Sequence, residues 1–282
     1  MIKYPGGKSG TYTIPSEVTI EDHAFYGCVK LTAIYVEDND LYSSDSGVLF
    51  DKGGTELISY PGGKEGPYTI PANVTKIKDG ALQYCYGLTS LTVNWSNEYE
   101  IYDIMCHECP NVTEIIVLGN DDLQSIDGSI YRVHENELYL IRCPEGKTSL
   151  VLPESVVSIS SEAVSFCHGL KEIVIKEGDS LDIDRDAFMQ SNSDIIFKSG
   201  KDGFDLKAYV DESKTIEVTG AMLNSGRVGT LHFDWISISA DPSDNPSDEP
   251  SGGINIGIVI GGIVGVIAVA GAGVFLFMRS RP

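Results

Sequence analysis

Cys106-His107-Glu108-Cys109 is the segment of this chain whose residue types point most directly to chemistry. Two cysteines with a histidine between them begin a zinc site or a redox dithiol. Four ligands are needed for structural zinc, and the sequence holds no second Cys-x-x-Cys. Cys109 also shares a slot with Cys28, Cys85 and Cys167 in successive segments, while Cys106 stands where Phe25, Leu82 and Val164 stand. That recurrence predicts a ladder of buried thiols acting as small apolar groups with weak S–H donors. The competing reading is disulfides between neighbouring segments at bridging Cα distances. Gly6-Gly7-Lys8-Ser9 and Gly146-Lys147-Thr148 imitate the end of a phosphate-binding loop, but Ile2 and Ile141 stand where its first glycine belongs. Turns are expected there. The histidines, at 23, 107, 134, 168 and 232, share no slot, and no Gly-x-Ser-x-Gly accompanies them. The expectation is a chain without catalytic residues, metal ligands or cofactor. Asn73, Asn94 and Asn111 open Asn-x-Ser/Thr triplets and are candidate glycosylation sites.

The charge balance narrows the partners. Asp and Glu number 41 against 20 Lys and Arg, a formal net charge of −21. Nucleic-acid binding needs clustered cations to neutralise phosphates, so that class is excluded. Basic partners remain compatible with such a surface.

What must position these residues is a set of internal copies. Tyr4-Pro5-Gly6-Gly7-Lys8 returns as Tyr60-Pro61-Gly62-Gly63-Lys64, and Tyr12-Thr13-Ile14-Pro15 as Tyr68-Thr69-Ile70-Pro71. A worn third copy reads Cys143-Pro144-Glu145-Gly146-Lys147, then Val151-Leu152-Pro153. Behind each follows a shorter unit: Ile77, Ala81-Leu82, Cys85, Leu88, Leu91, Val93 in the clearest case. Its counterparts are centred on Cys28, Cys109 and Cys167, and a fifth decays at Ser191. A period of about 20–29 residues with a Leu-x-x-Leu-x-Leu core marks a leucine-rich repeat. Each unit supplies a strand and a short irregular return, and the units stack into a solenoid because none can bury its apolar face alone. Val48 to Ile58, around Gly53-Gly54, and Ile130 to Ile141 read as β-hairpin inserts. Met1 to Tyr4 matches the second arm of such a hairpin, so sequence upstream of Met1 is expected.

The run Ile-Pro-x-x-Val-Thr, Ala-Phe-x-Gly-Cys, Leu-Thr-x-Ile, Gly-Val-Leu-Phe-Asp-Lys, Thr-x-Leu-Ile, Tyr-Pro resembles BspA-type leucine-rich-repeat proteins over about Met1 to Phe197. The short-tailed anchor described below further resembles the protist surface members of that group. The resemblance implies cell-surface exposure and adhesion to host cells or extracellular proteins, and it supplies no catalytic residues. Cys143 in place of Tyr, Ser191 in place of Cys and the absence of a secretory signal depart from the pattern.

Within a solenoid, ligands usually meet the extended sheet face. Outward strand positions here are Tyr35, Thr92, Ile116 and Val174, with Glu114 and Glu172 among those two residues earlier. This row is expected either to contribute to a protein or glycan contact or to pack against the hairpin inserts.

The division expected from the sequence is repeats with hairpin inserts at 1–200, a β-rich cap at 201–240, a Pro/Ser/Asp-rich stalk at 241–253, a transmembrane helix at 254–278 and a tail at 279–282. Ile256 to Met278 is an uncharged run of 23 residues, long enough for a bilayer core of about 30 Å. Arg279 and Arg281 follow it, and Asp241, Asp244, Asp248 and Glu249 precede it, which puts the tail inside and the repeats outside the plasma membrane. Gly257, Gly261 and Gly265 share one helix face and suit homodimerisation in the membrane. Three functional classes follow: a surface adhesion or recognition protein binding an extracellular protein or glycan, a passive coat antigen, and a tail-anchored cytosolic scaffold.

Overall fold

A computed structural model of the chain describes residues 4–95, 101–226 and 228–238. The first ladder pairs β1 (Gly10–Ile14) with β2 (Leu31–Val36) in parallel. A three-stranded meander follows, β3 (Tyr42–Asp45), β4 (Val48–Asp51) and β5 (Glu56–Ser59). The pattern then restarts with β6 (Gly66–Thr69), β7 (Lys76–Ile77), β8 (Leu88–Asn94) and β9 (Glu114–Leu118). A second meander is built from β10 (Leu123–Ile126), β11 (Ser129–His134) and β12 (Glu137–Arg142). After it come β13 (Ser149–Val151), β14 (Val156–Ile159), β15 (Glu172–Ile175), β16 (Ser180–Ile183) and β17 (Ile196–Ser199). The described chain ends in β18 (Phe204–Tyr209), the short helix α1 (Gly220–Asn224) and β19 (Thr230–Ser237).

The parallel strands fall into two walls. One wall is the set β1-β2, β6-β8-β9 and β13-β15-β17; the other joins β5 to β7 and β12 to β14 and β16. Apolar spacing explains the arrangement. Leu31, Leu88, Val112 and Leu170 hold the same place after the ladder cysteine and are all buried, as are Ile34, Leu91, Ile115 and Ile173 three residues on. The residue directly after each of these second positions, Tyr35, Thr92, Ile116 or Val174, turns toward the outside, as the alternation of a strand requires. Fully burying each Leu or Ile is worth about 1.5–3 kcal/mol, and only the neighbouring unit can provide that burial.

The inserts contain one strand more than the hairpins expected from the sequence. β3 and β10 precede the two expected arms; each meander pairs by its last strand with the repeat after it and is hydrogen-bonded by its first turn to the repeat before it. Ile34 N–H donates to Gly47 O and Ile115 N–H to Gly128 O, both at 2.8 Å. Val36 N–H and Val117 N–H donate to the hydroxyls of Ser44 and Ser125, at 3.2 and 2.8 Å. Ser46-Gly47 and Asp127-Gly128, each with two positive φ values, make tight primed turns whose glycines sit against Ala33 and Glu114. Each meander thus takes the hydrogen bonds of β2 or β9 that a further parallel strand would take. This ends the first wall's sheet and divides the wall into three.

After the last repeat, β19 runs antiparallel to both β16 and β18. Within the cap expected to be β-rich, Thr215 to Thr219 contributes an isolated bridge between Tyr209 and Glu217 and the N-cap of α1. The helix was not foreseen. Its Asn224 accepts the Ser191 N–H at 3.0 Å, at the point where the cysteine ladder stops. Among the described residues no helix is long and apolar enough to cross a membrane. The span expected at 254–278, with Gly257, Gly261 and Gly265, lies outside the described residues, as do the stalk and the tail.

Candidate functional site

The strand row holds one position in successive units, seven residues after each ladder cysteine. Tyr35 pairs with Thr13, Thr92 lies between Thr69 and Ile116, and Val174 lies between Val151 and Lys198. Tyr35 is 47 % exposed and Thr92, Ile116 and Val174 are half-buried. Thr92 and Ile116 are direct neighbours, whereas Tyr35 and Val174 belong to two other sheets. The expected continuous grid is therefore three short patches, because the meanders interrupt the wall. Glu114 is exposed opposite Ser90. Glu172 receives Lys198 Nζ at 2.7 Å, and that hydrogen bond holds its carboxyl below the usual range. An exposed pair of this kind adds little stability.

All three asparagines of the glycosylation triplets use their amides inside the fold. Asn73 Nδ2 donates to Gly54 O at 2.7 Å, Asn94 Nδ2 to Ile70 O at 3.1 Å and Asn111 Nδ2 to Tyr86 O at 2.7 Å. Each bond ties one segment to the one stacked before it.

The cysteines form the expected ladder. All six are buried. Cys109 Sγ accepts the Cys85 N–H at 3.3 Å and donates to Leu82 O at 3.1 Å, and Cys167 Sγ donates to Cys143 O at 3.5 Å. Burial and neighbouring sulfurs push the Cys85 thiol up, so it stays protonated. No group of three or more His, Cys, Asp or Glu among the described residues could hold a metal ion.

The Cys106-His107-Glu108-Cys109 turn surrounds something else: a fully buried ion pair. Arg142 Nη2 lies 2.7 Å from Glu145 Oε1, and Nη1 donates to Ser165 Oγ at 2.9 Å and Glu162 O at 3.2 Å. Glu145 accepts the Glu108 N–H at 3.0 Å and the Cys109 N–H at 2.6 Å. Burial pushes the Glu145 carboxyl up to about 7, against the pull of Arg142. Burial also pushes His107 down to about 4, with Arg142 adding to the effect. The pair joins two repeat turns to the end of the second meander. It is a structural clasp, and sequence reasoning missed it. The signal was available: the worn copy changes Ser59 to Arg142 and Gly62 to Glu145 together, on either side of Cys143.

Sequence reasoning also missed an aromatic patch on the return arcs. Tyr26 and Tyr84 rings meet edge to face at 4.6 Å, and His23 lies 5.7 Å from Tyr26. Further along, His107 lies 5.5 Å from Phe166. Tyr84, Glu108, Phe166 and Gln190, each preceding a ladder position, all have φ between 55° and 59°, in the slot that Gly27 fills in the first unit. Only a glycine there would have been visible in the sequence.

A family comparison agrees with this repeat pattern. The BspA type leucine rich repeat region matches in six copies, over residues 8–58, 67–137 and 143–202. Among solved structures, a leucine-rich repeat protein from Eubacterium ventriosum is similar at 21 % identity and TM-score 0.36, covering 67 % of this chain and 64 % of that one. The pneumococcal vaccine antigen PcpA is similar at 20 % identity and TM-score 0.39, covering 68 % and 51 %. A leucine rich cell surface protein from Faecalibacterium prausnitzii is similar at 19 % identity and TM-score 0.39, covering 68 % and 61 %. The chain thus spans less than two thirds of each of these proteins. No curated protein matches. With the repeat matched over most of its length, this chain belongs to the BspA-type leucine-rich-repeat family.

Proposed function

We propose that the chain is a cell-surface recognition or adhesion protein that binds an extracellular protein or glycan and performs no catalysis. The observation that carries this reading is that Tyr35, Thr92, Ile116 and Val174 recur at one outward position of successive units, with Thr92 and Ile116 side by side, and are more apolar than an ordinary surface. The segments with chemical promise support it too, since Cys109 and Glu145 are occupied in hydrogen bonds that hold the repeats together. The run at 254–278 serves, on this reading, as a single-pass plasma-membrane anchor with the repeats outside. The test substitutes Tyr35→Ser and Ile116→Lys in the full chain and measures binding to host cells and to matrix proteins. Binding is expected to fall while the melting transition stays in place. Saturable binding that these changes leave intact removes the row from the site, and a failure to find any saturable partner favours a passive coat antigen.

A further inference from the structure

We infer that the aromatic patch on the return arcs of the first two units is a second contact surface, whose partner is an arginine-bearing segment of another protein. The patch differs from the strand row in position and chemistry. Tyr26 is 44 % exposed and Tyr86 40 % exposed; the Tyr84 ring stands edge-on against Tyr26, and the Tyr86 N–H donates to Tyr84 O at 3.0 Å. The neighbouring Tyr26 side chain, together with burial, pushes the Tyr84 phenol up to about 12, and the two rings pack edge to face at 4.6 Å. The rings are therefore fixed in place before any partner arrives. Beside them lies a shallow groove lined by Glu21, His23, Tyr26, Lys78 and Asp79 among others.

Charge decides which partner fits. Glu21, Asp22 and Asp79 surround the groove, and Glu108 acts electrostatically on Tyr84. The cation among them, Lys78, is bound to Asp22 at 2.5 Å. Asp79, whose side chain is 87 % exposed, faces His23 at 3.9 Å. Exposed tyrosine faces next to an excess of carboxylate recognise a cation on a flat, stackable group: the ring quadrupole attracts the charge and the carboxylates complete its hydrogen bonds. A guanidinium satisfies both demands better than an ammonium does. The chain's net charge of −21 favours approach of the same partners. Tyr84 occupies the left-handed slot that Gly27 fills in the first unit, with φ 56°, as Glu108, Phe166 and Gln190 do in later units.

The test titrates the full chain with a fluorescent peptide alternating Arg and Gly, with Lys-Gly and Ser-Gly peptides and a neutral chito-oligosaccharide as comparisons. Saturable binding is expected for the Arg peptide, weaker for Lys, absent for Ser, and decreasing with salt. Tyr26→Ala with Tyr86→Ala is expected to weaken it by at least about tenfold. Asp79→Asn, at an exposed position that should not disturb folding, is expected to weaken it and flatten its salt dependence. The Tyr35→Ser, Ile116→Lys chain should bind the peptide normally, so the two surfaces fail or stand separately. No binding of the Arg peptide, binding indifferent to both sets of changes, or displacement by the oligosaccharide would overturn the inference.

Discussion

Arg142 heads the largest fully buried side chains among the described residues, and its charge is met by one carboxylate. A buried pair of this kind gains little over apolar packing, yet removing one partner alone strands the other charge. Glu145→Ala is therefore expected to destabilise the fold by about 3–5 kcal/mol in urea denaturation. The double change Arg142→Ser, Glu145→Gly restores the residues found at Ser59 and Gly62, and should cost less than the sum of its parts, with a coupling of about 1–3 kcal/mol. Strictly additive costs would show that the two groups do not act as a clasp. Residues such as Leu31, Leu88 and Leu170 could be read from the sequence because apolar burial repeats at fixed spacing. The clasp could not be assembled that way. Its bonds run from Glu145 back to Cys109, 36 residues earlier, and a single polar pair has no period to detect.

At the scale of elements, the turns of the meanders carry the most exacting geometry. A Cβ on Gly47 would meet Ala33 Cβ at 2.6 Å, and one on Gly128 would meet Thr113 O at 2.9 Å, both at positive φ. Gly10 has φ +90° with nothing near its Cβ position. Gly10→Ala should accordingly cost roughly 1–2 kcal/mol for backbone conformation alone. Gly47→Ala and Gly128→Ala should each cost a further 1–3 kcal/mol or so from overpacking. Chemical denaturation of the three variants checks the order, and equal costs would refute the close seating of the turns. The hairpin arms were legible from alternating apolar residues around turn-forming ones. β3 and β10 were not, because Tyr42-Ser43-Ser44-Asp45 and Leu123-Gln124-Ser125-Ile126 lack two apolar faces and use a serine to satisfy the neighbouring ladder. α1 escaped notice as well: five residues are too few to show a helical period.

For the repeat unit as a whole, stability is distributed unevenly. The described core falls into three clusters, and the first, from Tyr4 to Leu49, has eight buried members against more than twenty in each of the others. Stacked repeats gain stability mainly from buried contacts with their neighbours, so the cluster with the fewest buried members opens first. Hydrogen exchange should find the amides of β1 and β2 less protected than those of β8 or β15, and uniform protection across the three would contradict this. The solenoid itself was plain in the sequence, while the breaks in its wall were not, since an insert's hydrogen bonds to the strand before it leave no trace in the spacing of either. Those breaks have a consequence for how such chains can change in length. Between two meanders, copies such as the one from Cys85 to Cys109, 24 residues apart, are interchangeable tiles, because a parallel strand docks on any other. Once Gly47 or Gly128 has docked, no tile can follow directly. Duplication or loss therefore leaves both ladders intact only when it respects those seams, either inside a block or by a whole block with its closing meander.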